Sequence, residues 1–69
     1  MKDVIFIFDI PKKENTVKVR VWRDLIKINA KKIQHSVWKS DDLKNLIEIA
    51  NFIKKSGGHA MILEEKLIF

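Results

Sequence analysis

The chain has no cysteine, a single proline (Pro11) and only two glycines, adjacent at Gly57-Gly58. Without cysteine there is no disulfide staple and no thiolate metal site. The two histidines, His35 and His59, cannot build a Cys/His zinc framework by themselves. No apolar run reaches the roughly 18 residues that span a bilayer, and the N-terminus lacks a signal-peptide pattern. The expectation is a cytosolic protein. Internal repeats, linkers and low-complexity segments are absent from the sequence as well.

Acidic charge is also short: 9 Asp and Glu stand against 14 Lys and Arg, for a formal net charge of +5. Its distribution is more informative than its total. Residues 12–39 carry Lys12, Lys13, Lys18, Arg20, Arg23, Lys27, Lys31, Lys32 and Lys39, opposed only by Glu14 and Asp24. Such a segment suits a polyanion, nucleic acid before membrane. The alternative is a solvated basic face of the kind found in heat-adapted proteins.

At 69 residues the chain makes one domain, residues 1–69. A domain this small buries only about 60% of its unfolded surface and is marginal alone. Oligomerisation is the usual remedy when disulfides and structural metals are excluded. With 46% hydrophobic residues there is enough for a core and for a partner surface. A homodimer is therefore expected.

Val4-Ile5-Phe6-Ile7-Phe8 is a run of β-branched and aromatic residues that leads into Asp9, Ile10 and Pro11. It reads as a central strand buried on both faces, ended by a proline that cannot donate to the ladder. Asp9 then sits at the mouth of the sheet, either binding a cation or orienting a polar group, or capping the turn that follows. Asn15 or Thr16 can cap a first helix, whose apolar stripe is Val17, Val21, Trp22, Leu25 and Ile28. Val17–Val21 alone alternates like a strand, but Trp22, Leu25, Ile26 and Ile28 fit the period of 3.6. Asn29 suits the left-handed helix end. Residues 31–39 form one or two short strands with a bend near His35. Ser40 caps a second helix, with Asp41 and Asp42 in its first turn, a stripe of Leu43, Leu46, Ile47, Ala50 and Ile53, and Gly57 at its close. A strand, His59–Glu64, and a short apolar piece, Leu67–Phe69, follow. This order predicts an α+β, ferredoxin-like β-α-β-β-α-β sandwich, with both helices on one face of an antiparallel sheet and the other face covered by a second copy.

The strand ending in Phe8-Asp9-Ile10-Pro11, the basic helix and the segment Ile33-Gln34-His35-Ser36-Val37-Trp38 together resemble the CRISPR-associated protein 2 family over residues 4–39. That family shows an apolar strand ending in Tyr/Phe-Asp-Ile, then a basic helix and a Gln-x-Ser-Val-Phe-like segment. The resemblance implies a ferredoxin-like homodimer that acts on nucleic acid beside the integrase subunit in spacer acquisition, with several members described as metal-dependent endonucleases. It implies that Asp9 of the two copies holds a divalent cation, Mg2+, as the catalytic and metal residue. Gln34 and Ser36 are implied as supporting residues near the dimer seam. Trp38 in place of phenylalanine and Pro11 after Asp-Ile also occur in the C-terminal domain of phenylacetate-operon-type repressors, a non-catalytic relative. A third reading is an mRNA-cleaving toxin of the virulence-associated protein D type. Asn29 replaces the family's usual glycine, and the tail is short for integrase docking.

Sequence-independent phosphate contact falls to Arg20, Arg23, Lys27, Lys31 and Lys32. Either DNA or RNA suits such contacts. Ser36 and Gln34 more simply satisfy a strand edge, and His35 more simply lies exposed than titrates in catalysis. Trp22 is assigned to the core rather than to base stacking, and Trp38 to the dimer interface.

Overall fold

The computed structural model describes residues 3–65. Its elements are β1 (Val4–Asp9), α1 (Asn15–Lys27), β2 (Lys31–Gln34), β3 (Val37–Ser40), α2 (Leu43–Lys55) and β4 (His59–Glu64). The strands form one sheet in the order β2-β3-β1-β4, and each neighbouring pair is antiparallel. This small α+β fold is compatible with the ferredoxin-like sandwich that the sequence suggests. The expected terminal piece, Leu67–Phe69, lies outside the described residues.

β1 is central, and Phe6 is its pivot, opposite Trp38 of β3 on one side and Ile62 of β4 on the other. Side chains alternate along a strand. Val4, Phe6 and Phe8 therefore share a face with Trp38, Ala60 and Ile62, and these meet Val17, Val21 and Leu25 of α1 and Leu46, Ile49, Ala50 and Ile53 of α2 in one core. Burying a side chain such as Phe6 or Leu46 contributes about 1.5–3 kcal/mol. The expectation that β1 is buried on both faces is corrected. Both helices pack on the same side of the sheet, and the opposite face, with Ile5, Ile7, Val37, Met61 and Leu63, stays half-buried or exposed within one chain.

Both helices stop in the same way. Asn29 has φ of 58° and Gly57 of 90°, the left-handed conformation that releases the chain. The Asn29 and Ala30 N–H groups donate to the Ile26 and Leu25 carbonyls, and those of Gly57 and Gly58 to the Lys54 and Ile53 carbonyls. This paired pattern satisfies carbonyls that the helix end leaves free. The helix starts depart from the sequence reading. Glu14, not Asn15 or Thr16, is the N-cap of α1, and its side chain makes no capping bond. Asp42, not Ser40, caps α2 by accepting from the Asn45 N–H at 3.2 Å. Ser40 is instead the buried last residue of β3, and its Oγ accepts from the Asp42 N–H.

The apolar stripes are corrected too. In α1 the core takes Val17, Val21 and Leu25, while Trp22 is 56% exposed. In α2 it takes Leu46, Ile49, Ala50 and Ile53, leaving Leu43 and Ile47 exposed. Trp22 and Ile47 each lie about 100° around the helix from the centre of the buried row, and one helix cannot turn both sides to the sheet; Leu43 is exposed as the first residue of α2.

The capping difference has a measurable consequence. In urea unfolding, Asp42→Ala is expected to lose about 1 kcal/mol, whereas Asn15→Ala should stay within about 0.5 kcal/mol of the parent. Equal losses would show that the two starts are capped alike.

Candidate functional site

Asp9 ends β1 exposed to solvent, one residue before the buried Ile10. The β2–β3 turn reaches the same place, because the Phe8 N–H donates to the Ser36 carbonyl at 3.1 Å. A cleft of about 520 Å³ opens there, lined by Asp9, Lys12, Lys18, Trp22, His35 and Ser36 over a floor that includes Phe8 and Trp38. Asp9 is the single carboxylate among its lining residues. Across the sheet Asp9 is paired with His59, the first residue of β4. Behind it lies Gly58: a Cβ there would stand 2.5 Å from the Asp9 carbonyl oxygen and 2.8 Å from Ile53 Cγ2. Only glycine lets α2 return to the sheet so close to the end of β1.

Ser36 and Asp9 are thus brought to the same cleft. Gln34 is not in this cleft. It lies exposed on the edge strand β2 and lines a shallow depression over the β2–β3 turn, shared with Lys32, Ile33 and Ser36. His59 and Lys18 went unnoticed in the sequence as neighbours of this site. For His59 the signal lies in the strand register, which nothing local in the chain specifies. For Lys18 it is the i, i+4 relation to Trp22, visible once Trp22 is known to face outward.

The five cations assigned to phosphate contact are divided among three surfaces. Arg20 and Lys27 line the groove between α1 and α2 with Asp24, Asn45 and Glu48. There the Arg20 guanidinium lies 4.2 Å from the centroid of the Phe52 ring, a cation–π contact that holds the side chain across the groove. Arg23 lies on the outer side of α1, in a shallow patch with Asn15, Thr16 and Val19 that Arg20 also reaches. Lys31 and Lys32 stand on β2, where edge lysines also discourage pairing with another sheet. All eight cations of residues 12–32 are exposed. Among the described residues the only ion pairs are those of Lys39, with Asp3 at 3.7 Å and Glu65 at 3.2 Å. The positive charge of this segment is left for solvent or for a ligand.

No group of three or more His, Cys, Asp or Glu side chains gathers among the described residues. No helix among them is long and apolar enough to cross a membrane. No family model matches the chain, and no curated protein matches it in sequence. The resemblance over residues 4–39 therefore rests on the two motifs themselves and their spacing.

Gly58→Ala is expected to cost about 1–3 kcal/mol, because the new methyl meets backbone as well as side chain. A lowered thermal midpoint checks this. An unchanged midpoint would mean that β1 and α2 do not approach so closely.

Proposed function

We propose that this chain is a cytoplasmic nucleic-acid-binding subunit of the CRISPR-associated protein 2 kind, acting as a homodimer of ferredoxin-like domains in spacer acquisition. Asp9 of the two copies is the residue for metal-dependent phosphodiester hydrolysis. The observation that carries the reading is the set of eight exposed cations between residues 12 and 32, none in an ion pair among the described residues. Unpaired lysine and arginine bind phosphates by releasing counterions, without regard to base sequence.

The residues fit the implied cation in kind. Asp9 offers hard carboxylate oxygens, and magnesium keeps several of its six positions as water, so two Asp9 residues and phosphate oxygens suffice as anchors. When bound, the ion supplies water activation and neutralises charge on the phosphate. The chain's own groups do the positioning. Lys12 and Lys18 line the same cleft and draw a phosphate toward Asp9, and the Ser36 hydroxyl is a donor at its rim. A second copy is favoured by the open sheet face, where Met61 is 56% and Leu63 45% exposed. Apolar residues contiguous on a sheet mark an interaction surface. Integrase contact is part of the same reading, carried by the family resemblance.

A second reading follows from the single carboxylate in the cleft. One cleft carboxylate per chain also suits a non-catalytic dimeric module, of the phenylacetate-repressor C-terminal kind, that binds nucleic acid and does not cut it.

Labelled single-stranded RNA and double-stranded DNA, each with magnesium and with EDTA, separate the two. Cutting that needs metal and is lost in Asp9→Ala, with binding retained, is the expected result and also names the substrate. Cutting unchanged by the substitution removes Asp9 from the chemistry, and binding without cutting under any condition selects the second reading. For the dimer, Met61→Glu is expected to shift the native dimer to monomer in sedimentation velocity. A native protein that sediments as monomer at high concentration contradicts the sheet-face association.

A further inference from the structure

The outward face of α1 carries Val19, Trp22 and Ile26, all exposed, at spacings of three and four that make one row. A tryptophan 56% exposed on a chain with so few aromatics is not needed by the core, which already holds Trp38. Trp22 forms a wall of the cleft at the end of β1, with Lys18 one helical turn before it and Lys12, His35 and Ser36 also lining it. Trp38 lines the cleft as well, and its buried Nε1–H has no acceptor. A buried donor without a partner beside a cleft is the kind of group that a ligand or water satisfies.

We infer that this cleft is a nucleotide subsite for single-stranded nucleic acid, in which a base stacks on the Trp22 indole while Lys18 and Lys12 hold the adjacent phosphate. The chemistry needs a π face beside cations, and both are present within one cavity of about 520 Å³, a size within the usual range of small-ligand sites. Stacking accepts any base, so it matches the sequence-independent character of the cationic segment. A duplex, whose bases are already stacked, has nothing to offer Trp22. An acidic or apolar protein segment could also cover Val19 and Ile26, but the hydroxyl and imidazole donors of Ser36 and His35 beside the lysines favour phosphate and base edges. The inference rests on the nucleic-acid reading above and adds to it a strand preference and a residue outside the implied family site.

The test uses intrinsic tryptophan emission and the anisotropy of a labelled short thymidine oligonucleotide, single-stranded and as its duplex with deoxyadenosine. The native chain, Trp22→Leu and Trp22→Phe are compared, with circular dichroism verifying that each is folded. Native emission should fall on binding the single strand, and Trp22→Leu should lose that quench and bind the single strand about tenfold or more weakly. Trp22→Phe should recover most of the affinity, and duplex binding should be equal in all three. Single-strand binding that leaves native emission unchanged, or that is equally tight in Trp22→Leu, overturns the subsite while leaving the nucleic-acid reading intact. Emission that responds to protein concentration and not to oligonucleotide overturns it in favour of a contact between copies. Failure of the native chain to bind either strand or duplex at low salt removes the nucleic-acid reading and the subsite together.

Discussion

The burial of Phe6 in the core that both helices share with the sheet is the constraint on which the rest depends. This residue sits in the middle strand of the sheet, fully buried, with Trp38 and Ile62 flanking it and side chains of α1 and α2 above. A domain of this size has little core to spare, so one large, well-surrounded residue fixes the sheet relative to the helices. That fixation carries outward along β1. Three residues on, Asp9 ends the strand, held from behind by the close approach of Gly58 and from the side by the hydrogen bond of Phe8 to Ser36. The position of the candidate site is thus a consequence of core packing rather than of a flexible loop.

Element types and order were legible because their signals are local. The run Val4–Phe8, the bend at His35 and the left-handed helix ends at Asn29 and Gly57 each follow from residues within a few positions. What escaped was the direction of side chains on the helices. In α1 two apolar rows lie next to each other, Val17-Val21-Leu25 and Val19-Trp22-Ile26. A period of 3.6 fits either, and only the sheet beneath decides which is buried. Trp22 therefore reads as core from the sequence, and the cleft it walls shows only in the fold. His59 escaped for a different reason: its pairing with Asp9 is a matter of register between strands separated by most of the chain.

The charge pattern divides in the same manner. That residues 12–39 are basic is plain from composition, and every cation from Lys12 to Lys32 is exposed. That they occupy several surfaces is a property of the fold, since α1 presents Arg20 and Lys27 to one groove, Lys18 to another, and hands Lys31 and Lys32 to the sheet edge. A spread of cations suits a long polyanion that wraps the molecule better than a single small anion.

The measurement that bears most directly on the account is the salt dependence of nucleic-acid binding by the native chain. If several of the unpaired cations contact phosphates, the logarithm of the binding constant falls linearly with the logarithm of salt concentration. The slope should correspond to about 0.9 per duplex phosphate neutralised, or about 0.7 on a single strand, and become shallower by about one contact for each contacting lysine removed. Binding that is absent at low salt, or that salt leaves unchanged, would contradict the reading of this basic segment as a surface for nucleic acid.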